Sequence, residues 1–255
     1  GAAVAALVKK GILVEQGRET YRNPFANRDI QLTEPLPLLP AQQNALEKIK
    51  SADAGSCLLL HGVTGSGKTE IYTHLISQAL DAGHQVLYLV PEISLTTQLS
   101  DRLRKVFGSR LLVYHSKFSD SERVDIWRRL LATSEPLVVL GVRSSVFLPF
   151  ASLGLIIVDE EHEASFKQYD PAPRYNARDA ALVLAQMHGA RSLLGSATPS
   201  VETYFKAIGG KYGLVSLTER FEGAELPDVE IVDMAAMRKK KEVRGIISSP
   251  LRRRI

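Results

Sequence analysis

The residues Gly62 to Thr69 read GVTGSGKT, which fits the pattern G-x-x-x-x-G-K-[ST] at every fixed position. The apolar run Cys57 to His61 (CLLLH) precedes this stretch, and a helical pattern from Glu70 to Leu80 follows it. A phosphate-binding loop lies between a strand and a helix in this order. Its glycines let consecutive N–H groups turn toward phosphate oxygens at the start of the helix. The sequence therefore predicts a P-loop. The alternative is a glycine-rich turn that matches the pattern by chance.

The residues of this loop have different predicted roles. Lys68 is placed to meet the β- and γ-phosphates of a nucleotide, and Thr69 offers a hydroxyl to Mg²⁺. We expect the nucleotide to be held by Gly62, Val63, Thr64, Gly65, Ser66, Gly67, Lys68 and Thr69.

A second chemical signal is the acidic end of the apolar run Leu155 to Val158, where the chain continues as Asp159, Glu160, Glu161 and His162. Asp159 would hold Mg²⁺ through water, and Glu160 could orient and deprotonate the attacking water. Together with Lys68 these two acids form the predicted catalytic set. A catalytic glutamate favours a nucleoside triphosphatase over a nucleotide kinase, and the alternative is an exposed acidic strand end.

Short apolar runs alternate with helical patterns from the P-loop onward, which indicates a mostly parallel sheet covered on both faces. Hydrophobic residues make up 45% of the chain and charged residues 24%, as in ordinary globular proteins. The net charge of +4 suits a polyanionic partner but is equally explained by scattered surface lysines. The single cysteine, Cys57, suits a reducing compartment, and no run is long enough to cross a membrane, so a cytoplasmic location is expected.

Five segments together resemble motifs I, Ia, Ib, II and III of the superfamily 2 helicases. They are GVTGSGKT, VPEISLT at Val90 to Thr96, GVRSSVF at Gly141 to Phe147, DEEH at Asp159 to His162, and GSATPS at Gly195 to Ser200. The DEEH box, the PEISLT wording and the R-S-S-V-F-x-P stretch are most similar to the primosomal replication-restart DNA helicases of bacteria. The match covers about residues 38 to 235.

This resemblance implies an α/β fold, a RecA-like P-loop NTPase lobe at residues 40–235. A partial winged-helix-like segment (1–28) and a linker (29–39) would precede it, and the start of a second lobe (236–255) would follow it. The implied activity is ATP-dependent 3′ to 5′ DNA unwinding, with ATP and Mg²⁺ as cofactors. The implied partners are DNA forks and single strands, primosome proteins and single-strand-binding proteins, with no membrane.

The resemblance also implies roles for individual residues. Gln42 aligns with an adenine-reading glutamine, although a solvated glutamine on a helix face is equally compatible with the sequence. Arg143 and Ser144 lie in motif Ib, where Val142 replaces a threonine frequent in relatives. Ser196 and Thr198 align with the motif that links hydrolysis to DNA binding. For His162 two roles stay open: it could couple the acidic site to neighbouring segments, or it could cap the strand.

Aromatic and basic residues alternate between Glu163 and Arg178, directly after the DEEH box. Such a pattern suits stacking on unpaired bases, with cations at the phosphates, and relatives carry a loop here that senses single-stranded DNA. The alternative is that the aromatic rings pack on the surface of their own domain. The residues concerned are Phe166, Lys167, Tyr169, Arg174, Tyr175 and Arg178.

Two other functions stay open on the sequence. One is a superfamily 2 double-stranded DNA translocase or restriction-type motor that does not unwind. The other is a scaffold that holds nucleotide and DNA. The zinc-binding cysteines and the second lobe with its arginine finger, which relatives carry, do not lie in these residues, so we expect this chain alone to be nearly inactive.

Overall fold

The computed structural model describes residues 2–13, 31–115, 118–219, 231–239, 243–244 and 247–254. The chain divides into two compact units, Gly1–Phe221 and Glu222–Ile255. The predicted lobe ended later, at residue 235. Most of the predicted winged-helix-like segment lies outside the described residues, while a helix at its start is present as α1 (Ala2–Lys9).

The first unit is built on a parallel sheet of seven strands in the order β3-β4-β2-β5-β6-β1-β7. The α/β prediction is therefore confirmed. Continuous burial of the central strands explains why they appear as unbroken apolar runs in the sequence. The strands are β1 (Cys57–Gly62), β2 (Gln85–Leu89), β3 (Leu111–Tyr114), β4 (Val138–Gly141), β5 (Leu153–Asp159), β6 (Arg191–Ser196) and β7 (Gly213–Leu217).

Helices cover both faces of this sheet and enclose two hydrophobic cores. One core takes side chains from α2, α3 and α4, and the other takes side chains from α5, α6 and α7. The helices are α2 (Pro40–Lys50), α3 (Lys68–Asp81), α4 (Thr97–Phe107), α5 (Asp120–Ala132), α6 (Ala177–His188) and α7 (Val201–Ile208). In the described segments, no helix has both the length and the apolar character that a membrane crossing requires.

The edge strand β7 was not predicted from the sequence. It is short and half exposed, so it lacks the apolar run that marks the central strands. It pairs with β1, the strand that leads into the P-loop.

The second unit contains α8 (Met234–Lys239), the two-stranded antiparallel pair β8 (Val243–Arg244) and β9 (Ile247–Ser248), and α9 (Ser249–Arg254). In this unit the pair Ser249 and Pro250 predicts a helix start, and α9 begins at Ser249. The stretch from 229 to 233 predicts a strand, but its described part, 231–233, is not a strand.

The parallel arrangement decides where chemistry can occur. All seven strands of the first unit end at the same edge of the sheet. The segments that follow β1, β2, β4, β5 and β6, which hold the five predicted motifs, therefore begin at that edge.

Candidate functional site

The P-loop connects the end of β1 to the start of α3. Gly65 and Gly67 adopt φ angles of 78° and 83°, a left-handed conformation that glycine tolerates and other residues rarely adopt. Lys68 is 9% exposed, and its ammonium donates a hydrogen bond to the Gly62 carbonyl at 2.8 Å. To reach a phosphate it must exchange this carbonyl for the phosphate oxygens.

Gln42 lies against the P-loop and is only 2% exposed, so the solvated helix-face interpretation is wrong. Its Oε1 accepts a hydrogen bond from the Leu39 amide at 2.9 Å, and its Nε2 donates to the Ser66 carbonyl at 3.0 Å. A side chain at Gly67 would overlap this amide. Gln42 therefore braces the loop, and it must exchange these partners in order to contact an adenine.

Asp159 ends β5 with a mostly buried carboxylate. Its Oδ1 accepts from the Tyr72 hydroxyl at 3.1 Å and from the Glu160 amide at 3.1 Å, and its Oδ2 accepts from the Tyr88 hydroxyl at 3.3 Å. Burial, followed by the nearby charge of Glu160, raises the pKa of the Asp159 carboxyl to about 6, while the Lys68 charge partly opposes this shift. The same burial raises the pKa of both tyrosines well above the ordinary value.

The two predicted Mg²⁺ ligands, Thr69 and Asp159, both lie near the Tyr88 hydroxyl. The Tyr88 hydroxyl lies near the Thr69 side chain and donates to Asp159. A hydroxyl and a carboxylate are oxygen ligands of the kind that Mg²⁺ takes beside nucleotide phosphates. These residues therefore fit the ion that the sequence predicts.

Glu160 has a φ angle of 47°, the only positive value among the described residues other than glycine. Such a conformation costs on the order of 1 to 3 kcal/mol and is concentrated at functional sites. Oε2 of Glu160 lies 3.7 Å from Nδ1 of His162. Strain at this position supports the predicted catalytic role.

His162 connects the acidic end of β5 to the segment after β6. Its Nδ1 is 2.8 Å from Oγ of Ser196, and its Nε2 is 3.5 Å from Oγ1 of Thr198. His162 thus contacts both residues predicted to link hydrolysis to DNA binding, and it also reaches Glu160.

Sequence reasoning missed Glu161, although it lies in the same acidic run. The side chain is buried and accepts hydrogen bonds from the Ser200 amide (2.6 Å), the Thr203 hydroxyl (2.9 Å) and Nη1 of Arg178 (3.0 Å). Glu161 therefore joins the end of β5 to the starts of α6 and α7. The downstream S-x-x-T start of α7 was an available signal for a capping site, but nothing in the sequence linked it to this acid.

The loop from 163 to 178 places its aromatic rings in three different environments. Phe166 is 1% exposed and belongs to the core, so the prediction that it stacks on bases is wrong for this structure. The Tyr175 ring is partly buried and packs edge-on against Phe147, with centroids 4.8 Å apart. Tyr169 is 67% exposed and is the ring most available to a base.

The cations of this loop also differ. Arg178 is mostly buried and paired with Glu161 and Asp179, so it is not the freely available phosphate contact that was predicted. Lys167 and Arg174 are exposed. Arg143 donates to the Lys167 carbonyl at 3.1 Å and lies near the Tyr175 hydroxyl, which connects motif Ib to the loop. Ser144 is half-buried and lines a groove with Phe147 and Trp127.

Residues 39–206 match the DEAD/DEAH box helicase family. The chain belongs to this family. The matched residues include the P-loop, the DEEH box and the segment after β6. The contacts described above therefore join segments that all lie within the matched region.

Similar sequences are named replication restart proteins. The chain is 45% identical over 236 residues to replication restart protein PriA of Bacillus subtilis (strain 168), which covers 91% of this chain and 29% of that protein. It is 42% identical over 252 residues to PriA of Synechocystis sp. (strain ATCC 27184 / PCC 6803 / Kazusa), covering 97% of this chain and 30% of that protein. The chain thus spans about 30% of the length of these curated relatives.

Solved structures resemble this chain in fold. RecG bound to a three-way DNA junction has a TM-score of 0.56 and 23% identity, covering 82% of this chain and 27% of that one. The UvsW helicase of bacteriophage T4 has a TM-score of 0.50 and 17% identity, covering 78% of this chain and 66% of that one. These similarities confirm a helicase-type α/β fold.

Proposed function

We propose that this chain is the ATP-binding lobe of an ATP-dependent DNA helicase that unwinds DNA in the 3′ to 5′ direction during replication restart. The observation that carries the proposal is the contact chain from Glu160 through His162 to Ser196 and Thr198. It joins the predicted hydrolytic acid to the segment that, by resemblance to superfamily 2 helicases, responds to DNA. The named function of the PriA relatives, replication restart, supports the choice of pathway.

Different residues of this chain have different roles in ATP hydrolysis. Lys68 neutralises the β- and γ-phosphates, and Glu160 takes the proton of the attacking water. Thr69 and Asp159 would hold Mg²⁺, which when bound supplies charge neutralisation at the phosphate oxygens. Gln42, which already contacts the loop, would recognise the adenine.

We assign the contacts with DNA to the exposed part of the 163–178 loop and to motif Ib. Tyr169 supplies a stacking surface, and Lys167 and Arg174 supply exposed positive charge. Arg143 ties this loop to motif Ib. The proposed partners are primosome proteins and single-strand-binding proteins. We also propose a zinc site elsewhere in the full-length polypeptide and a cytoplasmic location. These parts of the proposal rest on the resemblance to replication-restart helicases.

The test uses the full-length protein. We expect its ATPase to be stimulated by single-stranded DNA, and a forked duplex with a 3′ single-stranded tail to be unwound faster than one with a 5′ tail. A duplex translocase would hydrolyse ATP on double-stranded DNA and displace a third strand without separating the duplex. A scaffold would show no stimulation by DNA, and either result would overturn the proposal.

A further inference from the structure

Two buried tyrosines hold the carboxylate of Asp159, one at each oxygen. The Tyr72 hydroxyl donates to Oδ1 at 3.1 Å and the Tyr88 hydroxyl donates to Oδ2 at 3.3 Å. Both tyrosines have 0% exposure, and their rings contact edge-on with centroids 5.6 Å apart. Since neither ring can rotate away without opening the core, the two hydroxyls fix the orientation of the carboxylate.

The tyrosines reach Asp159 from different parts of the fold. Tyr72 lies on α3, three residues after the predicted metal ligand Thr69, so it moves with the P-loop helix. Tyr88 lies in β2 opposite Ile157 of β5, so it belongs to the same rigid sheet as Asp159. Tyr72 is therefore carried by the P-loop helix, whereas Tyr88, although its hydroxyl also lies near Thr69, is carried by the same sheet as Asp159.

Tyr72 has a further contact that distinguishes it from Tyr88. A side chain at Gly195 would overlap the Tyr72 hydroxyl, and its Cβ would lie 3.4 Å from Oδ1 of Asp159. None of the three atoms nearest to that Cβ position belongs to Tyr88. Gly195 pairs with Asp159 across the β5–β6 ladder and precedes Ser196, the partner of His162. Gly195 and Ser196 are the last residues of β6, so a shift of the segment after β6 that displaced this strand end would press on the Tyr72 hydroxyl.

We propose that Tyr72 is a positioning residue that transmits movement of the 195–200 segment to Asp159, and that Tyr88 positions Asp159 without taking part in this transmission. The proposal deepens the proposed function, since it assumes that the segment after β6 responds to DNA. Tyr72 touches neither the nucleotide nor the DNA in this scheme. It acts by setting where the Asp159 carboxylate stands relative to Thr69.

The positioning role is tested by metal dependence in the full-length protein. Tyr72→Phe and Tyr88→Phe each keep the ring and remove one hydrogen bond to Asp159. Binding of a fluorescent ATP analogue is titrated with Mg²⁺, and we expect the half-saturating Mg²⁺ concentration to rise by about tenfold in both variants, the effect of losing one hydrogen bond to a charged group. An unchanged Mg²⁺ dependence in both variants, with unchanged thermal melting, would overturn the positioning role.

The transmission role is tested by the ratio of ATPase rates with and without saturating single-stranded DNA. Tyr72→Phe should lower this ratio severalfold, while the matched control Tyr88→Phe should keep the ratio of the unsubstituted protein even if both absolute rates fall. Equal ratios in the two variants would overturn the transmission role. Mg²⁺ is held at saturation for each variant, so that weaker metal binding cannot imitate the effect.

A second variant changes Gly195, the other residue of the contact with Tyr72. Gly195→Ala places a methyl group against the Tyr72 hydroxyl and should lower the DNA-stimulated ratio at least as much as Tyr72→Phe. A folded Gly195→Ala protein with normal stimulation would contradict the proposal. If the unsubstituted protein shows no stimulation by DNA, the proposed function fails, but the Mg²⁺ titrations still decide whether the tyrosines position Asp159.

Discussion

Lys68 is the residue on which nucleotide hydrolysis depends most directly. Its ammonium is held inside the P-loop by the Gly62 carbonyl, already near the position where phosphates would lie. We expect Lys68→Ala in the full-length protein to abolish ATP hydrolysis without unfolding the lobe, because a positive charge at the β- and γ-phosphates is removed. ATPase rate and thermal melting are measured, with exposed Lys48→Ala as the control. Near-normal hydrolysis by a folded variant would contradict the assignment.

Glu160 should separate nucleotide binding from hydrolysis. Glu160→Gln preserves the shape of the side chain and removes the base, so MgATP should bind with near-normal affinity while turnover falls by about 10² to 10⁴-fold. Equilibrium binding and steady-state hydrolysis are compared on the same preparation. Loss of binding together with turnover would show that Glu160 supports the fold of the site, which its strained φ angle would then explain.

Asp159 makes the stability of the lobe depend on pH. The pKa of its carboxyl rises from an ordinary 3.8 to about 6, because burial and the Glu160 charge disfavour the ionised form. Between these pH values the folded chain keeps a proton that the unfolded chain has lost, so the free energy of unfolding falls as pH rises through the window and stays lower above it. Asp159→Asn removes this loss of unfolding free energy, which amounts to at most about 3 kcal/mol.

The expected result is a higher melting temperature for Asp159→Asn than for the unsubstituted chain at about pH 8, and a smaller difference at about pH 4. Melting is recorded with EDTA and without nucleotide, so that no cation screens the carboxylate. Asp53→Asn, at an exposed position, is the matched control. A difference that does not change with pH would show that Asp159 is ionised at the same pH in the folded and unfolded chain.

The sequence predicted those residues whose role depends on spacing along the chain. Roles for Lys68, Thr69 and Asp159 could be proposed because a P-loop and an acidic strand end bring fixed chemistry to fixed positions, and these roles stay predictions. Glu161, Tyr72 and Tyr88 could not be assigned. Their partners lie 17 to 87 residues away along the chain, so their roles follow from the packing of β5 against its neighbours.

At the scale of elements, the loop from 163 to 178 shows what an aromatic pattern can and cannot predict. The spacing of rings and cations is the same whether a ring is buried or exposed, and only the path of the chain puts Phe166 into the core and Tyr169 into solvent. An antiparallel bridge between Lys167 and Asn176 closes this loop.

The two rings should therefore respond differently to removal. Phe166→Ala leaves a cavity in the core and should destabilise the lobe by about 3 to 5 kcal/mol, lowering nucleotide binding through unfolding. Tyr169→Ala should leave melting unchanged and weaken single-stranded DNA binding by about 1 to 3 kcal/mol. Melting and DNA titrations of ATPase in the full-length protein distinguish them, with exposed Tyr204→Ala on α7 as a control for loss of a surface ring. Unchanged DNA binding in Tyr169→Ala would remove the sensing role from this loop.

At the scale of the whole molecule, the fold class was predictable from the sequence. Apolar runs separated by helices indicate a parallel sheet because each central strand is buried on both faces. The expected end of the lobe at residue 235 stays a prediction, and the compact unit that holds the sheet ends at Phe221.

The last prediction concerns this chain by itself. It spans about 30% of the length of its curated relatives. The resemblance to superfamily 2 helicases implies that an arginine finger from a second lobe completes the site. Because such an arginine contributes about 10³-fold or more to turnover, residues 1–255 should bind MgATP weakly and hydrolyse it at most at about a thousandth of the full-length rate. Single-turnover hydrolysis is measured for both proteins, with Lys68→Ala in each as background and thermal melting to show that the lobe is folded. Turnover by residues 1–255 within about tenfold of the full-length rate would mean that the catalytic set is complete without a second lobe.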